Sequence, residues 1–363
     1  MPIGQPTIDI EFIQKAVTAI ARSERGVACV VVYDDTPTEA GYYTYKYATD
    51  IPSTRYTAAN LAILKRCWLC PVNKVIVVHV PTDAEFSDVT AILETIKYNY
   101  VCVVNDSVQQ DLATYIITKN ANSPGKKMIA VVYSVSTADS KYVINLKNAW
   151  VHDIDTKAQV DMVNYLPRIT SVLANLPLNR SITYYELEDI DNVDMSFVTV
   201  EDPIDEFIDD GYLVLWMDED VVKVGRGVNS LTTFTATDTE DMRKIVIVEA
   251  MNLILEDIYN TFKDYYVGKY KNSYDNQCLF ISAVNTYFRQ LAREEILDPS
   301  FDNVSFVDVE TQRDAWLATG KTEAADWTEA QVKEMTFKSW IYLAGNIKIL
   351  DAIEDLKFRI TMA

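Results

Sequence analysis

Strands alternate with helices along the first two thirds of the chain, and this pattern limits the possible folds more than any other feature. Apolar, β-branched runs typical of buried strands occur at 26–33, 75–80, 100–104 and 128–133. Helical patterns occur at 58–69, 108–119 and 156–174. Strands that alternate with helices form βαβ units, and successive units build a parallel sheet. We therefore predict an α/β fold with a largely parallel sheet.

The last third carries two amphipathic helices. The first has apolar residues at three- and four-residue spacing, at Val248, Met251, Leu255, Ile258 and Phe262. The second repeats the spacing at Ile281, Val284, Phe288 and Leu291. Such spacing places the apolar residues on one helix face, which packs against a neighbour. With strand signals after them, these helices predict a second, mixed α/β (α+β) domain.

Both ends of the chain alternate polar and apolar residues with the period of a half-buried strand, at 7–12 and at 356–362. No turn follows the second run. A strand at a free end can pair with the sheet of another subunit. We therefore predict intermolecular strand exchange through the two arms, at Thr7, Ile8, Ile10, Phe12, Leu356, Phe358, Ile360 and Met362.

The chain has 363 residues, which exceeds the size at which a single core stops growing. We expect an N-terminal arm (1–20), an N-terminal region (21–99), an α/β domain (100–240), a C-terminal domain (241–354) and a C-terminal arm (355–363).

Composition excludes several classes of partner. A net charge of -20 disfavours direct nucleic-acid binding, which depends on Lys and Arg replacing counterions. The longest apolar runs are far shorter than the roughly 20 residues of a membrane helix, so no membrane insertion is expected. The first residues lack a basic region followed by an apolar one, so a secretory signal is not expected. Five cysteines, mostly inside apolar runs, are typical of buried thiols in a reducing compartment, and we expect synthesis in the cytoplasm.

The motifs that suggest chemistry are weak. Cys67 and Cys70 have redox spacing but lie at the end of a helical pattern, whereas reactive pairs gain thiolate character at a helix start. His79 and His152 lie near no nucleophile motif. The stretches 225–227 and 123–127 only partly match nucleotide-binding loops and favour turns. We expect no catalytic, cofactor-binding or metal-binding residue.

A series of segments in the C-terminal third resembles the tail sheath proteins of contractile phage tails and phage-tail-like bacteriocins (tailocins), particularly the short sheaths of Gram-positive systems. In order along the chain, the segments are Gly225–Thr233, Lys244–Met251, Tyr266–Tyr270, Tyr274–Asn276, Ala283–Phe288, Val307–Glu310 and Leu350–Leu356.

This resemblance implies a subtilisin-like α/β middle domain without the protease's triad, a C-terminal sheath domain, and arms that enter the sheets of neighbouring copies. It also implies a short helix facing the inner tube, near 326–334, with Lys333 and Lys338 as candidate contacts. Glu329 and Glu334 lie in the same region, so a solvated charged face is the alternative. No cofactor is implied.

The predicted function is therefore that of a non-enzymatic virion component, a structural subunit of a contractile injection system. It would polymerise as a helical homo-oligomer around a tail tube protein and would also meet baseplate and tail terminator proteins. Contraction would drive the tube through a cell envelope. Two alternatives are an α/β hydrolase-like enzyme built on the middle domain and an adaptor that binds one partner without polymerising.

Overall fold

The computed structural model of the chain describes residues 19–37 and 39–362. The chain forms two compact units. The larger unit comprises Arg22–Tyr259 and the C-terminal segment from Ile349, and the smaller unit contains Asn260–Lys348. The C-terminal segment therefore belongs to the larger unit, although it follows the smaller one in sequence.

The larger unit contains twelve of the strands described: β1 (Val27–Tyr33), β2 (Gly41–Tyr45), β3 (Lys74–Val80), β4 (Tyr100–Val104), β5 (Ile129–Tyr133), β6 (Val143–Leu146), β7 (Trp150–Asp153), β8 (Ala158–Asp161), β9 (Ile190–Val193), β10 (Tyr212–Leu213), β11 (Leu215–Asp218) and β12 (Val221–Val224). Seven of them form one sheet in the order β10-β6-β5-β4-β1-β3-β2. Its neighbours pair in parallel except β2, which runs antiparallel to β3 at one edge.

Its helices are α1 (Ala58–Lys65), α2 (Phe86–Leu93), α3 (Gln109–Asn122), α4 (Met162–Asn175), α5 (Ile204–Asp209) and α6 (Ile245–Thr261), whose last turn crosses into the smaller unit. Successive side chains of a strand point to opposite faces. β1 is apolar along nearly its whole length, so both of its faces are apolar. Val30 packs in the cluster that contains Ile169 of α4. Val31 packs in the cluster that contains Ile116 of α3. The central strands are therefore buried on both faces.

The α/β fold predicted from the sequence is confirmed, with a parallel sheet and crossover helices. The expected division near residue 100 falls within this sheet, because β1 and β3 precede that residue and β1 also pairs with β4. The strand ladder therefore joins two regions that the sequence suggested were separate. A specific likeness to subtilisin stays a prediction.

The smaller unit contains α7 (Tyr274–Arg293), β13 (Val304–Val307), α8 (Val309–Leu317), α9 (Glu329–Glu334) and β14 (Leu343–Asn346). α7 begins after Ser273, whose hydroxyl accepts a hydrogen bond from the backbone of Asn276. Val284, Phe288 and Leu291 lie on its buried face, as the apolar spacing predicted, whereas Ile281 is only partly buried and Phe280 takes a buried position that was not predicted. β13 and β14 form a two-stranded antiparallel sheet. Among the described helices of the chain, none is long and apolar enough to span a membrane.

Candidate assembly interface

The C-terminal arm is the most unusual surface of the described chain. Residues 350–362 form neither helix nor strand, so the strand predicted there is absent from the single chain. Its alternating apolar side chains are almost fully exposed, with Leu356 at 89%, Phe358 at 75%, Ile360 at 70% and Met362 at 90%. A strand requires a partner for its backbone groups, and this arm has the side-chain pattern of a strand without that partner.

The predicted N-terminal arm cannot be described in the same way. Thr7, Ile8, Ile10 and Phe12 lie outside the described residues.

Ion pairs fix the arm at its root, the segment Asp351–Asp355. Arg226 donates from Nη2 to both carboxylate oxygens of Asp355, at 2.6 and 2.7 Å. Lys244, the residue before α6, bonds to Asp351 and lies 3.8 Å from the carboxylate of Glu354. A charged donor that engages both oxygens of a carboxylate restrains its direction as well as its distance. The exposed arm therefore leaves the larger unit from a defined point.

Glu354 is the most buried group of this root. Its side chain is only 5% exposed, and Oε1 accepts hydrogen bonds from the hydroxyls of Ser181 and Thr183. Arg226 Nε lies 3.8 Å from its other carboxylate oxygen. A buried carboxylate is tolerated when hydrogen bonds and nearby cations compensate for lost hydration. Glu354 therefore attaches the root to the segment before β9 and to the turn after β12.

The sequence did not indicate this anchor. Arg226 was interpreted as part of a turn, and it is separated from Asp355 by 129 positions. No local spacing rule connects residues so far apart. A useful signal was the isolated charge at Arg226 between two glycines, in an otherwise apolar and threonine-rich stretch.

In the smaller unit, β14 presents an edge that no described strand covers. The backbone nitrogen of Asp308 donates to the carbonyl of Tyr342, and antiparallel pairs alternate in their bonding. The backbone groups of Leu343 and Gly345 therefore point away from β13. On the outer side of β13, Asn285 of α7 bonds to the backbone nitrogen and carbonyl of Ser305. One edge is thus covered by a side chain, and the edge at β14 is open.

The candidate tube-contact lysines differ in their surroundings. Lys333 is half-buried on α9 and lies 3.8 Å from Glu329, one turn earlier. Lys338 is exposed, and its ammonium lies 5.1 Å from the centroid of the Phe337 ring. Its φ of 48° lies in the left-handed region, which is uncommon for a residue other than glycine. The structure places both lysines on one short stretch, but only Lys333 has an ionic neighbour among the described side chains.

α9 is held firmly against α8. Gln312 donates to the carbonyls of Val332 and Met335. Arg313 donates from one nitrogen to the carbonyls of Ala324, Ala325 and Trp327, at 2.7 to 3.1 Å. These bonds satisfy carbonyls of the connecting loop and of the end of α9. The surface that carries Lys333 is therefore pre-formed.

The residues with possible catalytic chemistry are engaged in structural contacts. His79 is buried in β3, its Nε2 lies 3.0 Å from the carbonyl of Glu39, and burial lowers its pKa. His152 pairs with Asp191. Burial raises the pKa of the Cys67 thiol to about 12, which disfavours the reactive thiolate.

The partial phosphate loop at 123–127 is also part of the framework. Lys127 donates to the carbonyls of Asn120 and Ser123 at the end of α3, and Lys126 lies 3.2 Å from the carboxylate of Glu256. Both ammonium groups therefore have partners within the larger unit.

Known proteins resemble this chain in sequence. Residues 237–363 match the family described as phage tail sheath C-terminal domain. Over 99% of both chains, the protein is 29% identical to the tail sheath protein of Clostridium phage phiCD119.

Solved structures share the fold. A chain of the contracted helical sheath of the anti-feeding prophage superposes with a TM-score of 0.72, at 13% identity and over 99% of both chains. The sheath tail protein of Desulfitobacterium hafniense gives a TM-score of 0.67 at 14% identity, over 83% of this chain and 94% of that one. The resemblance predicted from the sequence is confirmed: the chain is similar to phage tail sheath proteins, and its residues 237–363 match the family described as phage tail sheath C-terminal domain.

Proposed function

We propose that this chain is a structural subunit of a contractile tail sheath, which polymerises around a tail tube and contracts to drive the tube through a cell envelope. The relative from Clostridium phage phiCD119 is a tail sheath protein matched over nearly its whole length. The observation that carries the proposal is the C-terminal arm, which is anchored at its root and exposed along its apolar side chains.

The arm of one copy is proposed to add as a strand to the open edge of β14 in the next copy. Each backbone hydrogen bond of such an added strand contributes roughly 1 kcal/mol net. Leu356, Phe358 and Ile360 would then lie on one face of the enlarged sheet, as their alternation requires. Because the donor and acceptor surfaces differ, the contact is head-to-tail and generates an open helix when its rotation does not close.

Contraction is proposed to move whole subunits while the arms keep neighbours connected. A lattice of rigid subunits can shift between two arrangements when one of them buries more contact area. The anchored root supports this mechanism, because a fixed exit point transmits displacement from the body to the arm. The work would come from interface free energy rather than from nucleotide hydrolysis, which makes the proposed subunit non-enzymatic.

The proposed partners are further copies of this chain, a tail tube protein, and baseplate and tail terminator proteins. Lys333 and Lys338 are the proposed tube contacts. Synthesis in the bacterial cytoplasm and release in a phage tail or phage-tail-like particle complete the proposal.

Removal of residues 356–363 tests the arm. The shortened chain is expected to fold, because the exposed side chains contribute little to either unit, and to remain monomeric. Circular dichroism and light scattering report these two properties, and negative-stain electron microscopy reports hollow striated cylinders for the full chain. Cylinders formed by the shortened chain would exclude the arm as the tether.

A point variant provides a finer comparison. Ile360→Pro removes one backbone donor from the arm and should abolish or strongly slow polymerisation. Ile360→Val, the matched control, keeps a β-branched side chain and should assemble like the parent. Equal assembly of the two variants would show that the arm does not pair as a strand.

A further inference from the structure

A groove of about 870 Å³ lies in the larger unit beside the root of the C-terminal arm. Ile208 of α5, Trp216 of β11 and Arg243 before α6 contribute to its wall, and Glu354 and Asp355 of the root complete it. The arm therefore begins at the rim of this groove.

Three of the residues that line the groove each carry one buried polar atom without a hydrogen-bond partner among the described residues. These atoms are Nε1 of Trp216, Nε of Arg243 and one carboxylate oxygen of Glu354, Oε2. The first two are donors and the third is an acceptor. Buried groups of this kind are normally satisfied. A peptide backbone supplies both carbonyl acceptors and N–H donors, so its chemistry matches all three.

The groove has an excess of negative charge, because six acidic residues line it against three basic ones, whereas the arm is positive. Asp205, Glu240 and Asp241 line the groove, are exposed, and form no ion pair within the described ranges. The arm carries Lys357 and Arg359 and no acidic residue between 356 and 362. The lining also includes Ile204 and Ile208, which suit the apolar side chains of the arm.

We propose that, before assembly, each subunit's own C-terminal arm folds back into this groove and is thereby kept from neighbouring copies. Because the arm is covalently joined at the rim, its effective concentration at the groove is on the order of millimolar. The fold-back would cover apolar side chains that are otherwise exposed to water. Its consequence for assembly rests on the proposed function, in which the same arm must leave the groove to join a neighbour.

Disulfide trapping tests the closed form, in which the arm lies in the groove of its own subunit. The test uses the unassembled chain at low concentration. Ile208→Cys and Phe358→Cys are introduced together with Cys278→Ser, which removes an exposed native thiol. The control pair is Val200→Cys with Phe358→Cys, because Val200 is fully exposed and does not line the groove. Mild oxidation should produce a disulfide within one chain for the first pair and not for the control, as mapped by peptide mass spectrometry.

The remaining outcomes overturn the proposal. A disulfide that links two chains through 208 and 358 would mean that the groove takes the arm of a second copy. No disulfide, or equal yields from both pairs, would mean that the arm does not visit the groove. Trapping is compared with sheath formation by the unmodified chain. If the unmodified chain forms sheaths and the cysteine variant gives no intramolecular disulfide, this inference alone is overturned. If the variant gives the disulfide and the unmodified chain forms no sheaths, the inference stands and the proposed function is contradicted.

Tryptic cleavage after Lys357 and Arg359 gives a second measurement. The combined variant Asp205→Asn, Glu240→Gln and Asp241→Asn should accelerate cleavage roughly two- to tenfold, the effect of losing two exposed ion pairs. The control Asp83→Asn, Glu188→Gln and Asp220→Asn removes the same charge outside the groove and should cleave like the parent. Equal cleavage of the two triple variants would contradict the closed form.

Discussion

Charged side chains at the arm root orient the arm more than they stabilise the fold. Arg226 and Asp355 are 35% and 80% exposed, and an ion pair of that exposure contributes at most about 1 kcal/mol. Glu354 differs because it is buried and accepts two hydroxyl hydrogen bonds, so removing its partners would leave a buried charge uncompensated. Together, the exposed pair orients the segment and the buried carboxylate fixes its position.

Asp298 gives a prediction that concerns pH. In the smaller unit, the Lys348 ammonium 2.8 Å away is the main cause that lowers the pKa of Asp298 to about 2, and hydrogen bonds from Ser300 add to it. A depressed folded pKa contributes stability that is present above the unfolded value of about 3.9 and is lost as pH falls towards 2. Lys348→Gln should therefore raise the pKa of Asp298 towards its ordinary range, as measured by carboxyl ¹³C NMR titration.

Two outcomes separate the causes. If the pKa of Asp298 is unchanged in Lys348→Gln, the Ser300 bonds hold it down, and Ser300→Ala becomes the informative variant. A pKa that falls further would contradict the ion-pair explanation.

The secondary-structure elements with a strong apolar pattern are the ones that the sequence predicted correctly. β1, β3 and β4 are β-branched and buried on both faces, so the runs alone indicated them. β2 and β8 are short and largely exposed, and their residues give no such run. The strand predicted at the arm does not form in the single chain and stays a prediction for the assembly, because sequence specifies a strand's side chains and not its partner. For the same reason, Arg226 and Lys244 could not be recognised as an anchor.

α9 and its following turn give a prediction about the tube contact. Lys338→Glu should weaken assembly on purified tubes more than Lys333→Glu, because Lys333 already has Glu329 as a neighbour, whereas Lys338 has no ion pair among the described residues. Sedimentation of sheath with tubes measures the difference. Equal binding by both variants and the parent would remove both lysines from the contact and favour the solvated charged face.

For the whole molecule, the net charge of -20 means that copies repel one another at long range. The proposed tether consists of backbone hydrogen bonds and apolar side chains, which depend little on salt. Screening lengths shorten from roughly 30 Å at 0.01 M salt to about 8 Å at 0.15 M. Self-assembly without tubes should therefore accelerate across this range, and light scattering should show a shorter lag.

The chain lacking residues 356–363 is the control for this effect, and it should not assemble at any of these salt concentrations. If that chain associates as salt rises, screening promotes a contact other than the arm. Assembly of the full chain that instead slows steadily with salt would mean that attractive charge contacts between copies outweigh their net repulsion. In that case the search for the interface moves from the arm and β14 to the charged faces, beginning with the acidic residues 205, 240 and 241 that line the groove.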